Sequence, residues 1–382
     1  MLDATTHTLI TAIHTAARPC VIEFAGAGSQ ALWWLHSVAG SSRTVLEATD
    51  RYSRYSMMSL LGSEPARYVS QETAVAMAHA AYARAHDLRS NTAVVALSCT
   101  ATIATDYAKK GNHGCWVATR DQHSVTVYGL ILQKGARDRA GEEAVISLLM
   151  IQALAIAVGA IPQLDLALHA DERVDIHTIP CADALGDLYL GTTDIVQHHD
   201  DDTFTALPIH NATILSGSFN PLHDGHRQLL ATAMRISGQP GYFELAAVNA
   251  DKPALPYGVV VQRARQFTST PRLLVTRAPR FVDKAALMPG STFVLGYDTV
   301  KRLLDAKYYP SGSVNEMLAT IAQHGCRFIV AGRIDSTGVF HTFDLRMVPP
   351  AWQQLFVAID EGTFRNDVSS TALRAGEAAP SP

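Results

Sequence analysis

The sequence predicts two tandem α/β domains, the second built on a doubly wound parallel sheet. Three observations predict it. The chain has 382 residues, about twice an ordinary domain of roughly 100–200. Apolar, strand-like runs alternate with amphipathic helical segments through both halves. A polar, irregular stretch separates the two series. The expected divisions are 1–163 for the first α/β domain, 164–207 for a polar linker and 208–382 for the second domain.

In the first domain Thr6 to Ala17 reads as an amphipathic helix, and Cys20 to Phe24 (CVIEF) as a short strand. A small-residue turn, Ala25 to Ser29, leads to a helix over Leu32 to Val38. Thr73 to Ala85 is Ala-rich and helical, and Ala93 to Cys99 is a buried strand. Gly114 to Thr119 and Val125 to Leu132 form a strand pair. The apolar run Ile146 to Ile161 is interrupted by Gln152 and falls short of the roughly 20 residues a membrane span needs. It predicts a buried core helix.

The expected linker carries scattered acids and the run His198-His199-Asp200-Asp201-Asp202. That composition resembles a metal cluster, but adjacent side chains rarely converge on one ion. A solvated loop is expected there, and no metal site. Beyond it, Ala212 to Phe219 (ATILSGSF) is a strand entering a glycine turn, and Gly225 to Ile236 is an amphipathic helix. Phe243 to Val248, Leu273 to Thr276, Ser291 to Leu295 and Arg327 to Ala331 are further strands, and Val300 to Leu304 opens another helix. Strand–helix alternation of this kind implies parallel pairing with crossover helices.

Bulk features narrow the function. Lys and Arg number 31 against 35 Asp and Glu, a net charge of −4, so no general basic field exists to hold nucleic acid. The five cysteines are scattered and none forms a C-x-x-C pair. A disulfide framework and a structural zinc are not expected, and a reducing compartment is. The N-terminal residues lack a basic segment followed by an apolar core, so the expectation is a cytoplasmic protein without a secretory signal or membrane association.

The strongest chemical signal is Gly217 to His226, GSFNPLHDGH, between an apolar strand and an amphipathic helix. Open α/β sheets bind ligands beyond the carboxyl ends of their strands. Gly217 permits close backbone approach to a ligand. His223 and His226 lie three apart and share a face of the first helical turn. Backbone N–H groups at that helix start would meet an anion. A bare H-x-x-H would more often cap a helix; here strand, turn, glycines and helix agree on phosphate handling.

GSFNPLHDGH resembles the GxFxPxHxGH signature of the nucleotidylyltransferase superfamily. Two more segments resemble that superfamily in the right order: Phe293 to Asp298 (FVLGYD) and Val368 to Arg374 (VSSTALR). The similarity spans about 170 residues, from Ala206 to Arg374. It implies a Rossmann-like second domain of nucleotidylyltransferase type. It implies that His223 and His226 contact the triphosphate, with Lys252 and Arg374 adding positive charge. It implies nucleotide-binding roles for Gly217, Ser218, Phe219, Gly225, Asn249, Gly296, Asp298, Ser369, Ser370 and Thr371. The expected reaction is adenylyl transfer from Mg²⁺-ATP to nicotinamide or nicotinate mononucleotide, releasing pyrophosphate. Phosphopantetheine adenylyltransferase or CTP-dependent cytidylyltransferase activity and a non-catalytic nucleotide-binding role stay open. ATP and a pyridine mononucleotide are the expected small-molecule partners, and a homo-oligomer is expected.

The first domain resembles the CinA C-terminal family, which contains nicotinamide mononucleotide deamidases. The family's opening ESCTGG aligns with Glu23 to Gly28, placing Phe24 at the nucleophilic serine. Its lysine after a Tyr-Ser pair aligns with Met57. A phenyl ring cannot attack an amide, and a thioether cannot activate a nucleophile. The expectation is a catalytically degenerate domain; residual deamidase activity is the alternative. Ser29 is the nearby hydroxyl that could stand in for the nucleophile, and Arg137 and Arg139 are the candidates for a retained anion-binding role.

Overall fold

The computed structural model describes residues 2–89, 92–107, 109–161, 164–248, 253–268, 271–305, 314–334 and 339–365. The chain divides into two α/β units, Met1–Leu190 and Gly191–Pro382.

The first unit runs α1 (Ala4–Ala16), β1 (Cys20–Ala25), α2 (Ser29–Ser37), β2 (Val45–Asp50), α3 (Arg54–Leu61), α4 (Gln71–Leu88), β3 (Val95–Thr102), β4 (His113–Arg120), β5 (Ser124–Leu132), α5 (Arg139–Ala157), β6 (Val174–Pro180) and α6 (Ala184–Leu190). Its sheet has the order β2-β1-β3-β4-β5-β6. The β1 strand pairs in parallel with β2 and β3, and the remaining neighbours are antiparallel. Central β1 and β3 are buried almost throughout, which explains their continuous apolar runs. Asp3, Ser70 and Asp138 cap α1, α4 and α5, each accepting a backbone N–H from the first turn. Ile146, Leu149, Met150, Ile151 and Leu154 of α5 pack into the core beneath β1 and β3. This helix has the apolar length of a candidate membrane span, yet those side chains are core contacts of an α/β unit.

The second unit runs β7 (Ile195–His198), β8 (Phe204–Ala206), β9 (Thr213–Ser216), α7 (Asp224–Ser237), β10 (Gly241–Ala246), α8 (Tyr257–Ala264), β11 (Leu273–Thr276), α9 (Phe281–Leu287), β12 (Thr292–Gly296), α10 (Tyr297–Leu303), α11 (Val314–Gln323), β13 (Arg327–Ala331), β14 (Arg333–Ile334), β15 (Phe340–His341) and β16 (Phe356–Ile359). The sheet order is β16-β13-β12-β9-β10-β11-β7-β8. The strands from β16 to β11 pair in parallel, and β7 and β8 add an antiparallel edge. Numbering the parallel strands by chain order gives 3-2-1-4-5-6, the doubly wound arrangement. Winding reverses between β9 and β12. That crevice is where this architecture binds ligands.

One expectation is corrected. Residues 164–207 are not a free-standing linker. β6 and α6 complete the first unit, and β7 and β8 complete the second. The sequence looked irregular because β6 and β8 are edge strands with largely exposed side chains, and buried β7 and α6 are too short to show a period. β6 has mostly exposed side chains, and the HHDDD run forms the β7–β8 hairpin, with Asp202 in the left-handed region at φ +62°.

Candidate functional site

The loop after β9 is built by its own packing. Gly217 donates its N–H to the Glu244 carbonyl at 3.0 Å. Phe219 sits at φ +45° and buries its ring edge-on against Phe243, Phe267 and His226. A Cβ on Gly217 would lie 2.8 Å from that ring, which is why glycine stands there. The Gln266 amide accepts from Leu222 N–H at 2.8 Å and donates to the Phe219 carbonyl at 3.0 Å. The Arg263 guanidinium donates to the Ser218 carbonyl at 3.0 Å.

His223 is the N-cap of α7, and Gly225 is buried in its first turn. The His223 and His226 rings stack with centroids 3.7 Å apart. His226 Nδ1 accepts the His223 backbone N–H at 3.3 Å. That contact places the proton of a neutral His226 on Nε2 and leaves a donor for an anion. His223 Nδ1 is buried without a hydrogen-bond partner among the described residues. Burial, and then the neighbouring His223, hold the His226 imidazole down to about 4. Burial also lowers His223, against the opposing pull of Asp224. Both rings are therefore neutral donors near neutral pH, and an incoming anion would raise their proton affinity.

Gly296 ends β12, the strand paired with β9 across the winding reversal. Asp298 follows in the first turn of α10 and forms an ion pair with Arg333. Gly217, Ser218, Phe219, His223, Gly225 and His226 share one loop and helix start. Gly296 and Asp298 emerge from the neighbouring strand. Asn249, Lys252, Ser369, Ser370, Thr371 and Arg374 lie outside the described residues. Sequence reasoning missed Gln266, which ties the loop from about forty residues away.

The first unit holds a cleft made of two adjoining cavities of about 450 and 340 Å³, both lined by Gly26, Tyr52, Ile103 and Arg139. Phe24 lines the first and Met57 the second. The fold thus gathers the two aligned positions into one cleft, but as an aromatic ring and a thioether. The Ser29 hydroxyl donates to Glu143 Oε1 at 3.0 Å. The same oxygen accepts the Gly28 and Gln30 N–H groups at 3.0 and 3.1 Å. The start of α2 is thereby capped by the chain's own carboxylate. Arg139 donates to the Ala104 carbonyl at 2.8 Å, whereas Arg137 pairs with Glu172.

The HHDDD side chains have local partners. His199 Nε2 meets Thr205 Oγ1 at 2.6 Å, and Asp202 accepts from Arg265 at 2.9 Å. Among the described residues, no group of three His, Cys, Asp or Glu side chains is placed to hold a metal ion.

No protein-family model matches the chain, and no curated protein matches it. Solved structures similar to part of it include CinA-type proteins. The competence/damage inducible protein CihA from Agrobacterium tumefaciens is 20% identical with a TM-score of 0.35, covering 41% of this chain and 98% of that one. A competence or damage-inducible protein from Enterobacter asburiae is 12% identical at 0.35, covering 41% and 100%. A competence-damaged protein (CinA) superfamily protein from Enterobacter cloacae is 13% identical at 0.33, covering 42% and 95%.

Proposed function

We propose that the second unit is a nucleotidylyltransferase that moves adenylyl from ATP to nicotinamide or nicotinate mononucleotide. One observation carries this reading. Two stacked imidazoles stand at the start of α7, on a packed loop at the winding reversal of a doubly wound sheet.

The proposed chemistry asks little of a general base. The acceptor is already an anionic phosphate, so its oxygen attacks the α-phosphorus directly. The α–β bridging P–O bond breaks and pyrophosphate leaves. Catalysis then rests on placement and on donors aimed at developing charge. His226 Nε2–H and the N–H groups at the start of α7 would supply donors to the phosphate oxygens. Mg²⁺ enters as part of the Mg-ATP substrate and shields the leaving group. Ser370, Thr371 and Arg374 are assigned to the β- and γ-phosphates, and Lys252 to an added positive charge, by resemblance alone.

For the first unit, we propose a CinA-like binding domain without amide-hydrolysing activity. Phe24 and Met57 line its cleft where the resemblance requires a nucleophile and its activator. Ammonia release from nicotinamide mononucleotide would overturn this assignment.

A substrate panel tests the transferase reading. Full-length protein receives Mg-ATP or Mg-CTP with each mononucleotide, with phosphopantetheine, or with a CTP-dependent acceptor. Pyrophosphate with Mg-ATP and a pyridine mononucleotide supports the reading. Pyrophosphate only with the other acceptors transfers the assignment to another branch of the superfamily. Nucleotide binding without pyrophosphate supports a non-catalytic role.

A further inference from the structure

Resting on the transferase reading, we propose that Lys284 is a positioning residue that fixes the origin of the nucleotide loop through Ser216. Lys284 lies on α9, outside every motif the sequence displayed. Its side chain is buried, with an exposure of 5%. Its ammonium donates to Ser216 Oγ at 3.1 Å and to Glu244 Oε2 at 2.5 Å. The other carboxylate oxygen, Glu244 Oε1, accepts from Thr276 Oγ1. One ammonium thus ties together residues from β9, β10 and β11, three adjacent parallel strands. Ser216 is the last residue of β9, and the loop begins at the next residue.

The backbone repeats the tie, because Gly217 N–H donates to the Glu244 carbonyl. Glu244 therefore grips the loop's first residue by its main chain and the residue before it through Lys284. The ring of Phe281 lies 5.2 Å from the ammonium and helps to close the site from water. Burying such a pair is expensive, and well-packed apolar side chains often replace one at no cost in stability. Its distinctive contribution is geometric. Serine, glutamate and lysine can meet at these distances in one arrangement, and that arrangement sets where the loop leaves the sheet. A shift of about 1 Å at such a hinge point is enough to cost roughly a hundredfold in rate.

The test separates geometry from stability. Lys284→Met leaves Glu244 buried and unpaired, and should lower the thermal midpoint. Lys284→Met with Glu244→Leu removes both charges, leaving only the Thr276 hydroxyl without its acceptor, and should recover most of the midpoint lost in the single variant. Turnover should part from stability. Pyrophosphate release from Mg-ATP and nicotinamide mononucleotide should stay at least tenfold down in kcat in the double variant. Ser216→Ala, which removes only the tether, should lower kcat three- to tenfold with an unchanged midpoint; it carries the test if the lysine variants do not fold. A double variant that regains wild-type kcat along with its midpoint, or a Ser216→Ala variant with wild-type kcat, would show the cluster to be purely structural and overturn the proposal. A wild-type protein that releases no pyrophosphate with any acceptor overturns the transferase reading as well. An active wild type with unaffected variants overturns this inference alone.

Discussion

At the residue scale, the stacked imidazoles of His223 and His226 depend on a packed phenylalanine. His226 rests edge-on against Phe219, whose ring occupies the space a side chain on Gly217 would need. Gly217→Ala should therefore displace the ring, with a loss of about 1–3 kcal/mol from overpacking. Urea denaturation followed by the second unit's lone tryptophan, Trp352, would measure it in a variant lacking the other three (Trp33, Trp34 and Trp116). Much of this site is legible in the sequence, because GSFNPLHDGH puts the turn glycine, both histidines and the helix start within ten consecutive positions. Gln266 and Lys284 are not legible there. Each reaches the loop from a segment remote in the chain, and a lone Gln in a turn or Lys in a helix carries no local signal.

At the element scale, periodicity located the central strands and α4 to within a few residues, whereas α5 starts at Arg139, seven residues before the apolar run that announced it. Leu273–Thr276 and Arg327–Ala331 fall where expected, since strands buried on both faces show unbroken apolar runs. Edge elements escaped for the opposite reason. β2 reads VLEATD and β6 VDIHTIP, each partly or largely exposed, so pairing with a neighbour defines them more than burial does. The start of α2 is another element-level feature hidden from sequence. Its cap is Glu143, more than a hundred residues away on α5. Glu143→Ala should cost about 0.5–2 kcal/mol, the usual value of a lost helix cap. Amide exchange is expected to speed up at Gly28 and Gln30 and to stay unchanged in α4.

At the scale of the whole molecule, the first unit has a marked pH signature. Burial holds His79 and His86 down to about 4, helped by the Arg120 charge. In the unfolded chain an imidazole takes up its proton near 6.5. The unfolded state thus binds more protons between these values, so stability rises with pH across that window. It should be fully present above about 6.5 and lost as pH falls towards 4, by roughly 3 kcal/mol from His86 alone. Tryptophan-monitored unfolding at pH 7.5 and pH 5 reports mainly on the first unit, where Trp33, Trp34 and Trp116 reside. His86→Leu should shrink the difference to the part that His79 contributes.

The central claim, that the loop after β9 transfers a nucleotidyl group, meets its most direct test in pyrophosphate release. Full-length wild type and His226→Ala are compared under Mg-ATP with nicotinamide and nicotinate mononucleotide, alongside circular dichroism to verify folding. The wild type should turn over, and His226→Ala should lose a hundredfold or more while remaining folded. A folded His226→Ala protein that releases pyrophosphate at the wild-type rate would contradict the claim.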